Sequence, residues 1–552
     1  MGVNDDWSYI RSALHLAQTG RIAYFGWDTP ILGWQIYLGA LFITIFGFSF
    51  SVARLSVLFV GAVTVYLLHR ILVRCGINER NATIGTLAFA LSPLFMPLAF
   101  SFMTDVPGLF SLLLCIYLCL RALQAVEDTA AFNWVIFAAA SNVISGFVRQ
   151  TAWLGVIVIV PTTFWLLRYR RLPRVKAALL WLTSLLCIFA CLTWFRHQPF
   201  AQREDPVGDI LTHLPIAAII KASSHFVLCI PLLLFPVLAA FITPSWIKTR
   251  RARLSVFLAV ISLGAAVLAG LFLHIHLHHA GLVWLAPWGV NYVTPRGLID
   301  FAEIGVRPIV FGPIVRAIVT LLVLGAALAC IACVSTSPVS RKSEGSTGLR
   351  ILSGRELAFF LAPFTIVYFA LILPRGAVGE VTERYLLPLL VVVLITVLRL
   401  FQQKVAARLP AFSLVCVLLV AAYSVAAMHD LYAVERARLA AANEIRAAGF
   451  ARTSFYGGMA YDGWTQIDSW GYVTAPKINL PPGPQPTPSW KMTSWPCGNW
   501  FAGESPAIQP RFAVSYDQGA CQGPSRFAPV PYRTWLPPYT GSVYIVTITI
   551  AP

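Results

Sequence analysis

Residues 168–195, RYRRLPRVKAALLWLTSLLCIFACLTWF, join two features whose combination decides the fold. The stretch 177–195 carries no charged residue, and roughly 20 mostly apolar residues suffice for a helix to cross ~30 Å of hydrocarbon. Immediately before it stand Arg168, Arg170, Arg171, Arg174 and Lys176. An uncharged span that follows a dense basic link reads as a membrane-crossing helix with its cytoplasmic end at the arginines.

The whole chain has the composition that this stretch implies. Of its 552 residues 58% are hydrophobic and only 12% charged, about half the charged fraction usual in soluble proteins. That balance excludes a water-soluble enzyme, a disordered chain and a secreted disulfide scaffold. It predicts an all-α polytopic membrane protein, in which 36 prolines and 37 glycines are tolerable. The net charge of +18 then belongs to the cytoplasmic links, and no nucleic-acid partner is expected.

The same ruler gives about twelve spans, near 52–73, 82–101, 107–124, 132–148, 150–167, 177–195, 226–246, 254–273, 312–334, 356–373, 385–400 and 409–427. Every second link is basic. One set holds Arg70, Arg74 and Arg80; Arg121; Arg168 to Lys176; Lys248 to Arg253; Arg341, Lys342, Arg350 and Arg355; and Arg399, Lys404 and Arg408. The intervening links are poor in Lys and Arg for their length, so the start of the chain and the tail lie outside.

Three regions follow. Residues 1–51 form a first exterior loop with two interfacial helices, the second aromatic-rich between Pro30 and Gly47. Residues 52–427 form the transmembrane domain. Residues 428–552 form a small exterior α/β domain, with a helix over 431–448 that Gly449 caps and strands over 453–456 and 543–550. Cys497 and Cys521 are the only cysteines of that tail, and an oxidising exterior predicts a disulfide between them. Exterior placement of a start that carries Arg11 and Arg21 but no leader leads to the expectation of a further transmembrane helix upstream of Met1.

Polar residues on the exterior side gather the chemistry, because charge at membrane depth is costly. They are Asp5, Asp6, Asp105, Arg149, His274, His276, His278, His279, Glu380, Glu383 and Arg384. Helix capping accounts for Asp5, Asp6 and Asp105 taken singly. Crowded together, such carboxylates have a sharper use, because like charges raise one pKa toward that of a general base. Arg149 and Arg384 read either as arginines snorkelling to headgroups or as forks for a lipid phosphate. His274 and His278 share a helical face at metal-ligand spacing without a carboxylate or cysteine nearby in sequence. Interfacial or substrate hydrogen bonding is the expected use, and neither metal nor cofactor is expected. The tail aromatics Tyr461, Trp464, Trp470 and Trp500 read first as the core of a small domain and second as an acceptor surface.

The order of motifs resembles a known family. An acidic pair with Tyr9 four residues after Asp5 precedes FGFS at 46–49 and ARLSVLF at 53–59; MTDVPGLF at 103–110 and ERYLLPLL at 383–390 follow. This pattern is similar to the C-type membrane glycosyltransferases that use polyprenyl-phosphate sugars, with protein O-mannosyltransferases and lipid A aminoarabinose transferases nearest. The resemblance implies about 13 spans with the first helix restored. It implies Asp5 as catalytic base, Asp6 as its acidic neighbour (Asp where Glu is usual) and Asp105 as the acidic residue of the second exterior loop. Tyr9, Arg149, Glu383 and Arg384 are the implied substrate-binding residues.

The implied reaction moves a sugar from a polyprenyl-phosphate lipid to a hydroxyl of a lipid, glycan or protein acceptor, with inversion. Its implied place is the outer face of a bacterial inner membrane, toward the periplasm. A secondary transporter is the rival from another class, and it would carry inverted repeats with polar groups at mid-membrane. A lipid-linked polysaccharide ligase or polymerase is a second rival, lacking need of the acidic motifs at 5–9 and 103–105.

Overall fold

The computed structural model describes residues 2–202, 216–242, separate helical positions between 254 and 272, 285–299, 304–336, 350–373, 375, 382–484, 486, 497 and 499–548. The chain opens with α1 (Asp6–Thr19) and α2 (Gly33–Phe46), then α3 (Phe50–Arg74), α4 (Glu79–Ala90), the single turn α5 (Phe95–Ala99), α6 (Asp105–Gln124) and α7 (Asp128–Ser145). It continues with α8 (Val160–Leu166), α9 (Arg174–Arg196), α10 (Ile216–Leu233), α11 (Phe235–Leu238), α12 (Pro313–Thr336), α13 (Gly354–Ile372), α14 (Leu387–Lys404) and α15 (Ala411–Ala447). Among the described residues, eight helices are long and apolar enough to cross a membrane. The helical membrane fold read from the composition is therefore present.

Four of the expected spans are broken or bent and a fifth is longer than expected. The stretch 82–101 breaks after α4 at Ser92-Pro93, where Ser92 Oγ caps Phe95 N at 3.1 Å and Ser424 Oγ donates to the freed Leu91 carbonyl at 2.8 Å. The stretch 226–246 bends by 63° between Leu233 and Phe235, where Pro231 and Pro236 each remove a backbone donor. Spans 132–148 and 150–167 meet at Arg149 through short 3₁₀ turns and a π turn over Gly155–Ile159. There Asn142 replaces lost backbone bonds: its Nδ2 donates to Ser111 O and Ala152 O at 3.2 Å, and its Oδ1 accepts Val156 N at 2.8 Å. Finally, the expected span 409–427 and helix 431–448 form one helix of 37 residues, about 55 Å long, so the tail is an extension of α15. The expected span 254–273 is described only at separate positions, all of them helical.

Polar ties define two ends of the bundle. At one end Arg74 Nη1 donates to Gln124 Oε1 at 2.7 Å, Arg170 Nε to Asp128 Oδ1 at 2.6 Å, Asn81 Nδ2 to Gln402 Oε1 at 3.0 Å and Lys404 Nζ to Val334 O at 2.5 Å. These are the basic links of the sequence, gathered at one end as the positive-inside pattern requires. The N-termini of α6 and α14 and the C-termini of α9 and α13 belong to the other end.

At that other end α2 exposes Tyr37, Leu41 and Ile45 at i, i+4 and i+8, an apolar stripe suited to the interface. Its partner α1 does not lie open on the surface: Trp7 is fully buried against α16 (Met459–Trp470), where a Cβ on Gly463 would fall 2.3 Å from the indole. The tail closes with β1 (Phe455–Tyr456), β2 (Phe512–Ser515), β3 (Val530–Trp535) and β4 (Pro538–Thr547) in sheet order β1-β2-β4-β3, β1 parallel to β2 and the rest antiparallel. Cys497 and Cys521 are disulfide-bonded beside it, as expected.

A buried ion pair fixes the first loop to this frame. Asp6 is fully buried and accepts Arg54 Nε at 2.8 Å, Val3 N at 2.6 Å and Phe102 N at 3.4 Å. Removing one partner of such a pair strands the other charge, at a cost of about 3–5 kcal/mol. Arg54→Met should therefore lower thermal stability in detergent sharply, and adding Asp6→Leu should restore part of the loss. An additive loss in the double variant would contradict this coupling.

Candidate active site

Between the helix ends opposite the basic links lies a cavity of 640 Å³. Tyr9, Arg149, Gln150, Arg196, Arg375 and Arg384 are among the residues that line it, with apolar Leu192 and Phe195 on the α9 side. Four guanidiniums thus border one space, and no carboxylate is among the described residues that line it. The fork geometry of Arg suits phosphate or carboxylate oxygens.

Carboxylates stand behind two of these arginines. Arg384 Nη1 donates to Asp5 Oδ2 at 3.1 Å, while Trp27 Nε1 donates to Asp5 Oδ1 at 3.0 Å. Arg149 Nη1 donates to Asp105 Oδ1 at 2.5 Å, and its guanidinium lies 4.8 Å from the centre of the Tyr385 ring. Asp105 Oδ2 is buried without a hydrogen-bond partner. A second cavity of only 20 Å³ is bordered by Asp105, Arg149 and Arg384. Burial, with Asp5 beside it, pushes the Tyr9 phenol well up, so Tyr9 meets the cavity as a protonated donor.

The structure therefore brings together Asp5, Tyr9, Asp105, Arg149 and Arg384 from distant parts of the chain, and corrects three sequence expectations. Asp6 points away from the cavity into the Arg54 pair, so it holds α1 in place and is not poised for chemistry. Asp5 and Asp6 do not crowd each other; each carboxylate has its own arginine. Glu383 does not face the cavity either. It is buried and accepts the backbone N–H groups of Val290, Asn291 (3.2 Å) and Tyr292 (2.9 Å), which fixes a loop whose Tyr292 hydroxyl accepts Asn4 Nδ2 at 2.5 Å. Three adjacent N–H groups form a nest that suits one carboxylate. The four histidines and Glu380 lie outside the described residues.

Sequence reading missed Arg196, Arg375, Asp28 and Trp27. The two arginines end spans on the arginine-poor side, which was itself a signal. Trp500 of the tail packs against Trp27 at 6.2 Å between ring centres, so the tail backs the Asp5 carboxylate through one ring. Tyr461 packs in the tail core with Phe455, in line with its core reading.

Fold and site define a helical membrane protein with an arginine-rich cavity at one end of its spans. Residues 28–196, from the loop before α2 to the end of α9, match the family model described as dolichyl-phosphate-mannose-protein mannosyltransferase. The resemblance read from the motifs is thus found independently in this part of the chain. No protein of curated function matches the chain. Among solved structures, ArnT from Cupriavidus metallidurans bound to undecaprenyl phosphate is similar at 14% identity and TM-score 0.35, over 84% of this chain and 79% of that one. Its apo state matches at 15% and 0.30, over 74% and 73%. The archaeal oligosaccharyltransferase AglB from Archaeoglobus fulgidus, in complex with an inhibitory peptide and a dolichol-phosphate, matches at 15% and 0.29, over 69% and 52%.

Asp28 offers a measurable electrostatic signature of this layer. It is fully buried, accepts Ser8 Oγ at 2.8 Å and Phe25 N at 3.3 Å, and burial raises its pKa to about 6. The native state then binds this proton more tightly than the unfolded chain, whose Asp titrates near ~4. Its contribution to stability is complete below pH ~4 and falls as pH rises toward 6. Thermal midpoints of wild type and Asp28→Asn across pH 4–7 should show that slope in the wild type and its loss in the variant.

Proposed function

We propose that the protein transfers a glycosyl group from a polyprenyl-phosphate sugar to an acceptor hydroxyl at the exterior surface of the membrane. The observation that carries this reading is the pairing of an arginine-lined cavity with a carboxylate, Asp5, directly behind Arg384. The family match over 28–196 supports it. So does the location of the polar groups at helix ends, where a transporter would hold them at mid-span.

On this reading the donor phosphate sits among Arg149, Arg384, Arg196 and Arg375, with Tyr9 as a further donor. Its isoprenoid tail leaves past Leu192 and Phe195 toward the bilayer. The bond from the anomeric carbon to the phosphate oxygen breaks, and the phosphate departs as an anion without a general acid. The guanidiniums stabilise the charge that grows there. The acceptor oxygen attacks from the opposite face and its proton passes to Asp5, giving inversion in a single displacement. Asp105 serves as the positioning residue of Arg149, a narrower role than the second catalytic carboxylate expected from sequence. The acceptor is a hydroxyl of a lipid, glycan or protein, and no metal or cofactor enters the step.

Membranes containing the full-length protein and a labelled polyprenyl-phosphate sugar test the reading. Asp5→Asn should lower kcat by about 10²–10⁴-fold with little change in donor affinity. Arg384→Gln should weaken donor binding as well, because it removes a charged contact to the phosphate. Wild-type turnover in Asp5→Asn would exclude Asp5 as the base.

A further inference from the structure

A second groove lies at the opposite, basic end of the bundle, between α8 and α9. It has a volume of 340 Å³ and is lined by Phe164, Trp165, Arg168, Arg174, Ala178 and Trp181 among others. We propose that it binds an acidic phospholipid of the surrounding bilayer, with the headgroup phosphate between Arg168 and Arg174 and an acyl chain along the groove floor.

The chemistry of the two walls supports this occupant. Trp165 and Tyr169 are 62% and 85% exposed at the end of α8, the position that amphipathic aromatics take at a membrane interface. They hold the Arg168 guanidinium over their rings, at 4.9 and 4.3 Å, and Arg168 Nη1 donates to Trp165 O at 2.9 Å. The guanidinium is thereby set at headgroup depth. Arg174 begins α9, whose N-terminus has no side-chain cap, so its free N–H groups add to the positive field.

Among the described residues, no acidic side chain pairs with Arg168 or Arg174. Asp128 is taken by Arg170, which donates to its Oδ1 at 2.6 Å, and by Arg171 N at 3.2 Å. Arg170 also donates to Ala125 O and Val126 O, which fixes the turn as a rigid floor. The apolar part of the groove has the shape of a chain site because α9 presents the small Ala177 and Ala178 where α8 presents Phe164 and Trp165. Only 17% of the apolar stretch of α9 is buried in the protein, so the groove opens directly to lipid. Basic pockets between spans on the positive side select anionic headgroups. This site is separate from the arginine-lined cavity and does not depend on the reaction proposed above.

Native mass spectrometry of the full-length protein in detergent, with added phosphatidylglycerol or phosphatidylcholine, tests the proposal. Phosphatidylglycerol should be retained in preference to phosphatidylcholine. Arg168→Gln with Arg174→Gln should weaken that retention about 30-fold, while the Lys replacements at both positions should keep most of it. Ala178→Phe, which fills the groove without changing charge, should also lower it. A control pair on another basic link, Arg70→Gln with Arg80→Gln, should leave it unchanged. Equal retention of the two lipids, undiminished binding in the double Gln variant, or an equal loss in the control pair would overturn the assignment.

Discussion

The ion pair between Asp5 and Arg384, at 3.1 Å, joins residues separated by 379 positions and ties the first loop to the edge of the cavity. Neither charge is cheap at this depth; each is tolerable because the other is present. Pairing draws the first loop onto the start of α14. Asp6, one residue further, is turned by the helix to the opposite side, where it meets Arg54 on α3. Two adjacent carboxylates thus reach two different partners because successive residues of α1 diverge by about 100°. One stands behind the Arg384 that lines the cavity, and the other anchors α1 to α3.

The broken helices follow from the same need to keep polar groups satisfied. Arg149 reaches both Asp105 and the cavity because the chain abandons α-helical geometry around it, with Arg149 itself extended. Gly146 permits the turn: a Cβ there would meet Trp153 at 2.2 Å. Asn142 then bonds the backbone groups that the break would strand. A continuous helix through 149 would satisfy the backbone at less cost. The irregularity is therefore tied to the site.

Much of this was legible in the chain. Uncharged runs and alternating basic links gave the spans and their two ends, because hydrophobic length and charge asymmetry act through simple one-dimensional rules. Asp5, Tyr9, Asp105, Arg149 and Arg384 were also within reach, since each is an ionisable or phenolic group where such groups are scarce. What could not be read was direction. Nothing in the string DD tells which carboxylate faces inward, and Glu383 beside Arg384 gave no sign that its oxygens would be taken by the N–H groups of 290–292. Prolines at 93, 231 and 236 lie at the breaks, but only packing decides whether a proline kinks a span or ends it.

The contrast between the two ends of α9 gives the clearest account of how one span serves two surfaces. At its start Arg174 stands among the cations of the positive end; at its finish Arg196 joins three other arginines around the cavity. Positive charge on the arginine-poor side opposes the orientation rule, and four guanidiniums around one space together suit an anion. Asp5 and Asp105 answer Arg384 and Arg149 from behind, leaving the cavity faces of the guanidiniums turned toward the open space. That arrangement favours a ligand whose negative charge increases during reaction, as a phosphodiester does when it becomes a monoester and approaches −1.5 to −2. On the proposed reading the same arginines hold the departing phosphate more strongly than the donor, which is the differential binding that lowers a barrier.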